Sequence, residues 1–354
     1  MEDLPRIARQ KPYYFEPEKG KRYLWCSCGL SAQQPFCDGS HKGTEFLPIE
    51  YKTQIENEEV LFCGCKHSLT QPLCDGAHNN LTSEYDEDDP NSEENRRVPI
   101  VEPDGNGLAA LDGGCFVVQA NKVTMESHGV LKLGELIGRR TGASYQSQFY
   151  AEIQPGSAPI MAFGDSEVVL LVASGAGTIS ISGRDFEVPP REVGIYIQGG
   201  EAFALTNTST DVMTIYISVC PLDSRPVYPD EMPGNFNGEC PDRLVEIDPD
   251  NRQSMADRFF QMLVDKKIGS NVVTQFIGEV PRSKAAMHRH LYEESIVVIS
   301  GEGYMWTENA KTKVTQGSVI FLPRKKSHSL ESCDDNGLVL AGVIYPGDNP
   351  SINY

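Results

Sequence analysis

The residues Cys26-Ser27-Cys28, followed by Cys37-Asp38-Gly39-Ser40-His41, recur 37 positions later as Cys63-Gly64-Cys65 and Cys74-Asp75-Gly76-Ala77-His78. Each copy offers three thiolates and one imidazole within 16 residues. Those are donors for iron or zinc, so two inorganic centres are expected. Structural zinc sites usually present C-x2-4-C pairs separated by a loop from a second pair. Here the first pair is C-x-C, which suits a dinuclear cluster, with one iron on that pair and the other on the last Cys and His. A zinc knuckle stays open as the rival. Gly39 and Gly76 permit the tight turn that brings Cys and His together. His67 lies outside the pattern and reads as a surface histidine.

A second donor set lies in His288-Arg289-His290-Leu291-Tyr292-Glu293-Glu294, with His328 farther on. On a strand, residues two apart face the same side, so His288, His290 and Glu294 would share one face. His328 would join them from a different strand. Three neutral imidazoles and one carboxylate make a first-row metal site with room for water or substrate.

Several elements must position these groups. Residues 1–82 hold the cysteine repeats, separated by strand-like stretches at Thr44–Tyr51 and Val60–Phe62. Residues 83–98 carry seven acids between Glu84 and Glu94 and read as a flexible acidic linker. From about Gly105 the texture is short apolar strands and glycine turns, typical of β-barrels or sandwiches. A second repeat appears there: Val168–Gly177 matches Ser295–Gly303, with the glycine pairs Gly175/Gly177 and Gly301/Gly303 offset by 126, and Val193–Gln198 matches Ser318–Pro323 at offset 125. Two homologous β domains follow, at 99–225 and 245–354, joined by a Pro/Gly-rich crossing. Met255, Phe259, Met262 and Leu263 predict one helix over about Arg252–Lys267.

The cysteine repeats resemble the CDGSH iron–sulfur family, the mitoNEET-like proteins. The family pattern, C-x-C-x2-S/T-x3-P-x-C-D-G-S/A/T-H, is met in both copies, with Ser31 and Pro35 in the first and Ser68 and Pro72 in the second. The resemblance implies two 2Fe–2S clusters. It assigns Cys26, Cys28, Cys37 and His41 to one, and Cys63, Cys65, Cys74 and His78 to the other. An imidazole in place of a thiolate raises the cluster potential and ties cluster retention to pH.

The C-terminal motif resembles the cupin superfamily. Its first motif runs from His288 through Glu294 to Gly301, although Gly278 lies farther upstream than the pattern asks. Its second is met at Gly317, Pro323 and His328, with Lys325 in place of a glycine and Ser332 in place of an Asn. The resemblance makes His288, His290, Glu294 and His328 ligands of one mononuclear divalent metal, iron being expected. The corresponding positions of the first barrel are Ala162, Gly164, Val168 and Phe203, none able to bind a metal. That barrel is expected to be structural or a metal-free pocket, and His128 fits neither motif.

The bulk numbers exclude other classes. A formal charge of -19 argues against nucleic acid and anionic membrane surfaces. No apolar run approaches a spanning helix, and the first residues lack a signal-peptide core. A cytoplasmic protein is expected. The four scattered cysteines, Cys115, Cys220, Cys240 and Cys333, read as small buried hydrophobes.

The expected fold is mainly β: a small tandem CDGSH module followed by two cupin-type barrels. The expected function is a non-haem iron oxidoreductase or dioxygenase on a small organic substrate, with the clusters supplying electrons and no catalytic residue assigned. The alternatives are a non-enzymatic redox or iron sensor, and a cluster carrier that serves a redox partner or an apo-acceptor protein.

Overall fold

The computed structural model describes residues 4–81, 88–222 and 225–354. The chain is mainly β, with a small cysteine-rich module and cupin-type β-sandwich domains. It divides into two compact units: Met1–Asp86 with His288–Leu291 and Asn349–Tyr354, and Glu87–Met287 with Tyr292–Asp348.

In the first unit, strand Tyr13–Phe15 pairs antiparallel with Val60–Phe62, and Tyr23–Trp25 pairs with Ile49–Tyr51. Such short strands bury little, so aromatic side chains make the core. Trp25 and Phe62 are fully buried, with Phe15, Phe36 and Tyr51 packed around them. Rings meet edge to face at 4.9 Å (Phe15–Phe36) and 5.2 Å (Tyr51–Phe62), a geometry the ring quadrupoles favour.

In the second unit, a seven-stranded sheet includes strands 131–137, 147–153, 167–174, 193–197 and 213–220. It faces strands 177–181, 184–188 and 202–207. Between them lies a wholly apolar core containing Phe149, Phe163, Leu170, Ile195 and Phe203. An eight-stranded sheet includes 258–264, 274–280, 293–300, 318–322 and 338–345. It pairs with a three-stranded sheet of 302–306, 311–315 and 329–332 to repeat the plan.

Edge strands are exchanged between the repeats. Phe116–Gln119 pairs with Ser318–Leu322 on the second sheet, whereas Leu244–Glu246 pairs with Val193–Ile197 on the first. Each exchange covers an edge that would otherwise present unpaired backbone groups.

Three expectations change. The expected helix over Arg252–Lys267 is a β-hairpin, Gln253–Met255 against Arg258–Val264, turning at Ala256 with φ 57°. A short apolar run cannot separate the two periods, and pairing of Arg258–Val264 with Thr274–Val280 decides it.

The acidic linker falls partly at 83–87, outside the described residues. From Asp88 onward the charge run is tied down. The Asp88 carboxylate pairs with the buried ammonium of Lys284 and accepts from Asn95 Nδ2 at 3.0 Å, ahead of a 3-10 turn at Asn95–Arg97. A buried cation needs a counter-charge, which overrides the repulsion along the run.

The third change is the strand carrying Glu294, which begins only at Glu293. His288–Leu291 lies before it, so the HxH pair does not share that strand.

Candidate functional site

The two cysteine repeats share their main backbone bonds. Cys26 and Cys63 donate their N–H groups to the Pro35 and Pro72 carbonyls, both at 2.9 Å. Cys37 and Cys74 donate to Leu24 and Leu61 at 2.7 and 2.8 Å. Ser31 Oγ donates to the Phe36 carbonyl and Ser68 Oγ to that of Leu73, both at 2.6 Å. The motif aspartates staple the turn: Asp38 accepts from Ala32 and Ser40 N–H, Asp75 from Leu69 and Ala77 N–H. These bonds to Ser40 and Ala32 hold the Asp38 carboxyl at about 2. Gly39 and Gly76 sit at φ 94° and 89°.

The donors arrive in pairs. Cys26 and Cys28 Sγ lie 3.6 Å apart, and Cys37 Sγ lies 3.2 Å from His41 Nδ1. In the second copy the distances are 3.5 Å for Cys63–Cys65 and 3.4 Å for Cys74–His78. Each repeat thus offers two donor pairs, each able to hold one metal ion.

The copies differ in exposure. Cys37 and His41 are half-buried, whereas Cys74 and His78 are buried, His78 at 1% exposure. Burial, with the nearby Lys11 charge, pushes the His78 pKa down to about 4. The bond from Cys65 pulls the Cys63 thiol down to about 6, and the same bond with burial pushes Cys65 up. Cys26 is held down, against its burial, by bonds from Ser31 N–H, Cys28 and Gln34.

Lys66 escaped the sequence reading. Its ammonium is buried at 1% exposure, donates to Gln34 Oε1 at 2.8 Å and lies 4.5 Å from the Trp25 ring centroid. Burial pushes its pKa down, while Cys26, Cys63, Cys65 and Cys28 push it up. The signal was available: at offset 37, Lys66 stands where the first repeat has Gly29. Gly29 has φ 74° and Lys66 φ 71°. A lysine in the left-handed region carries a backbone cost, which its side-chain contacts must offset. His67 bonds the Cys65 carbonyl through Nδ1 at 2.7 Å.

The described residues hold one group of three metal-type donors. His290, Glu294 and His328 are all buried, with ligand atoms within 4.8 Å of one another. His288, the fourth expected donor, is not in that group. His328 Nδ1 lies 2.9 Å from the Lys326 carbonyl, which sets the ring's orientation. Lys325, replacing the motif glycine, holds φ 65°, so the turn keeps the conformation a glycine would adopt. Glu293 faces elsewhere, accepting from Ser144, Tyr145 and Gln146 N–H at 2.9–3.0 Å. In the first barrel Val168 and Phe203 are buried in the apolar core. His128 stacks on Tyr228 at 4.6 Å.

No helix among the described residues is long and apolar enough to cross a membrane. Residues 6–42 match the family described as iron-binding zinc finger, CDGSH type, and residues 279–344 match the cupin domain. CDGSH iron-sulfur domain-containing protein 3, mitochondrial, of Mus musculus is 46% identical over 52 residues, covering 14% of this chain and 38% of that protein. The protein of the same name from Homo sapiens is 46% identical over 50 residues, covering 14% and 39%. The chain thus spans less than two fifths of these relatives. Among solved structures, protein Ylba from E. coli gives a TM-score of 0.54 at 13% identity, over 69% of this chain and 96% of that one. Lactobacillus farciminis oxalate decarboxylase gives 0.51 at 11% identity, over 66% and 87%. At such identity the likeness is one of fold. The chain carries a CDGSH-type domain toward its N-terminal end and a cupin domain toward its C-terminal end.

Proposed function

We propose that the chain holds two 2Fe–2S clusters, on Cys26, Cys28, Cys37, His41 and on Cys63, Cys65, Cys74, His78, and one mononuclear metal, iron, on His290, Glu294 and His328. On this reading it is an oxidoreductase acting on a small organic substrate, and bound clusters would supply one-electron chemistry fed by an external one-electron donor. One observation carries it: paired thiolate–imidazole donors suited to one-electron carriers occur in one chain with a buried trio of two imidazoles and a carboxylate. His290, Glu294 and His328 would hold the iron, which when bound would supply one-electron and O2 chemistry.

The protein's own residues set the conditions. His328 is oriented by the Lys326 carbonyl, and Glu294 brings the sole carboxylate of the trio. Lys66 balances thiolate charge from both repeats, which favours the reduced clusters. The half-exposed His41 side is the accessible face for a donor protein.

Ferric iron loaded to saturation at the trio should be reduced rapidly by a donor in the intact chain, and far more slowly in Cys26→Ser/Cys63→Ser. Equal rates would reject electron supply and leave a sensor or carrier role. Consumption of O2 dependent on an added substrate tests the enzyme reading itself.

A further inference from the structure

The segment carrying the HxH pair is held by the iron–sulfur unit. Arg289, between the two histidines, exchanges both backbone bonds with Tyr354, N–H to carbonyl at 2.9 Å each way. Leu291 and Tyr354 pack on a small core of Leu61, Cys74 and Ile352. Tyr354 also stacks on Tyr14, ring centroids 5.7 Å apart. Asn79, next to His78, donates to the Ser351 carbonyl at 2.7 Å. Gly76 lies so near that a Cβ there would meet Ser351 Oγ at 2.0 Å. The turn from Cys74 to Asn79, residues 349–354 and residues 288–291 therefore form one packed body. The first repeat differs at the matching glycine: a Cβ on Gly39 would meet nothing within 4 Å.

We propose that the second cluster positions the HxH pair, so that iron–sulfur occupancy at Cys74 and His78 sets the affinity of the mononuclear site, while the first cluster does not. Arg289, Leu291 and Tyr354 are positioning residues in this device. The inference rests on the reading above that both centres bind metal.

The physical chain is short. Cys74 and His78 bracket a turn that iron would pin at both ends. Without that pin the turn slackens against Ser351, and the pairing of Tyr354 with Arg289 loses its anchor. His290 then samples more orientations, and the mononuclear metal must meet the ordering cost on binding. A site competent for only a fraction of the time binds weaker by that fraction. Linkage makes the effect mutual, so metal at the trio should in turn retain the second cluster.

The test is titration of the full chain with Mn(II), followed by electron paramagnetic resonance. The forms compared are intact, Cys37→Ser, Cys74→Ser and a chain ending at Pro350. Cys74→Ser and the shortened chain should bind Mn(II) about tenfold more weakly, and Cys37→Ser within about twofold of intact. In the intact protein, bound Mn(II) should slow chelator removal of one cluster and leave the other unchanged. Two results overturn the proposal: unchanged affinity in a folded Cys74→Ser chain and in the shortened chain, or an equal loss in Cys37→Ser. An intact chain that binds no Mn(II), or shows no cluster absorbance, would remove the underlying reading as well.

Discussion

Lys66 of the second cysteine repeat donates to Gln34 Oε1 of the first at 2.8 Å, and Gln34 Nε2 in turn donates to Cys26 Sγ at 3.3 Å. One buried cation is thereby wired to both donor sets. A positive charge beside a centre that gains an electron stabilises the reduced form. Lys66→Gly should lower the cluster potentials by on the order of tens of millivolts, read by redox titration. The glycine relieves the left-handed backbone, so the variant should keep its thermal stability within a few degrees. A potential equal to that of the unaltered protein would show that the ammonium does not tune the clusters.

Without iron, the module should weaken in acid because of His78. Its folded pKa of about 4 lies below the ordinary 6.5, so the unfolded chain binds the proton first. The contribution is therefore complete above about 6.5 and is lost as pH falls toward 4, by up to about 3 kcal/mol. Thermal unfolding of the iron-free protein between pH 7 and 4 checks the slope. His78→Asn should flatten it.

The two CDG turns should respond differently to a methyl group. Gly39→Ala places a non-glycine residue at φ 94° with open space around its Cβ, at a cost of about 1–2 kcal/mol. Gly76→Ala adds a clash with Ser351 Oγ to the same backbone strain, and should cost more. Ser351→Gly should recover the difference, measured as melting temperature. Equal losses in the two variants would mean that Ser351 yields freely.

At the mononuclear site, His290→Ala, Glu294→Ala and His328→Ala should each abolish metal binding, since each removes a donor from the converging trio. His288→Ala should weaken binding without abolishing it. Equilibrium binding of Mn(II) or Co(II) separates the cases. A His288→Ala protein as empty as Glu294→Ala would make His288 a full ligand.

Glu167 and Glu293, 126 positions apart, do the same work in opposite repeats. Glu167 accepts from Ser270 Oγ and Asn271 N–H at 2.8 and 3.0 Å, and Glu293 from the Ser144–Gln146 backbone. Either residue changed to Ala strands those loop donors and should cost about 2–4 kcal/mol by chemical denaturation. Metal binding should persist in Glu293→Ala, since that carboxylate faces the loop.

What the sequence determined by itself was whatever depends on covalent spacing. The two C-x-C…C-D-G-x-H copies place donors on one tight turn, so the pairing of Cys37 with His41 and of Cys74 with His78 follows from local geometry. The 126-residue repeat likewise foretold two similar β domains, because a strand's alternation and its closing glycine are local properties. The tertiary structure decided whatever depends on partners distant in sequence. The run 258–264 became a strand because 274–280 offered it a backbone ladder. Asp88 became an anchor because Lys284 is buried beside it. The burial of the Lys66 side chain, bonded to Gln34 of the other repeat, was likewise decided by packing. His290, Glu294 and His328 come from two stretches that only folding brings together. The burial of His78 under residues 349–354 could not be read from the repeat either, because the covering residues lie more than 270 positions away, and burial is a property of the packed chain.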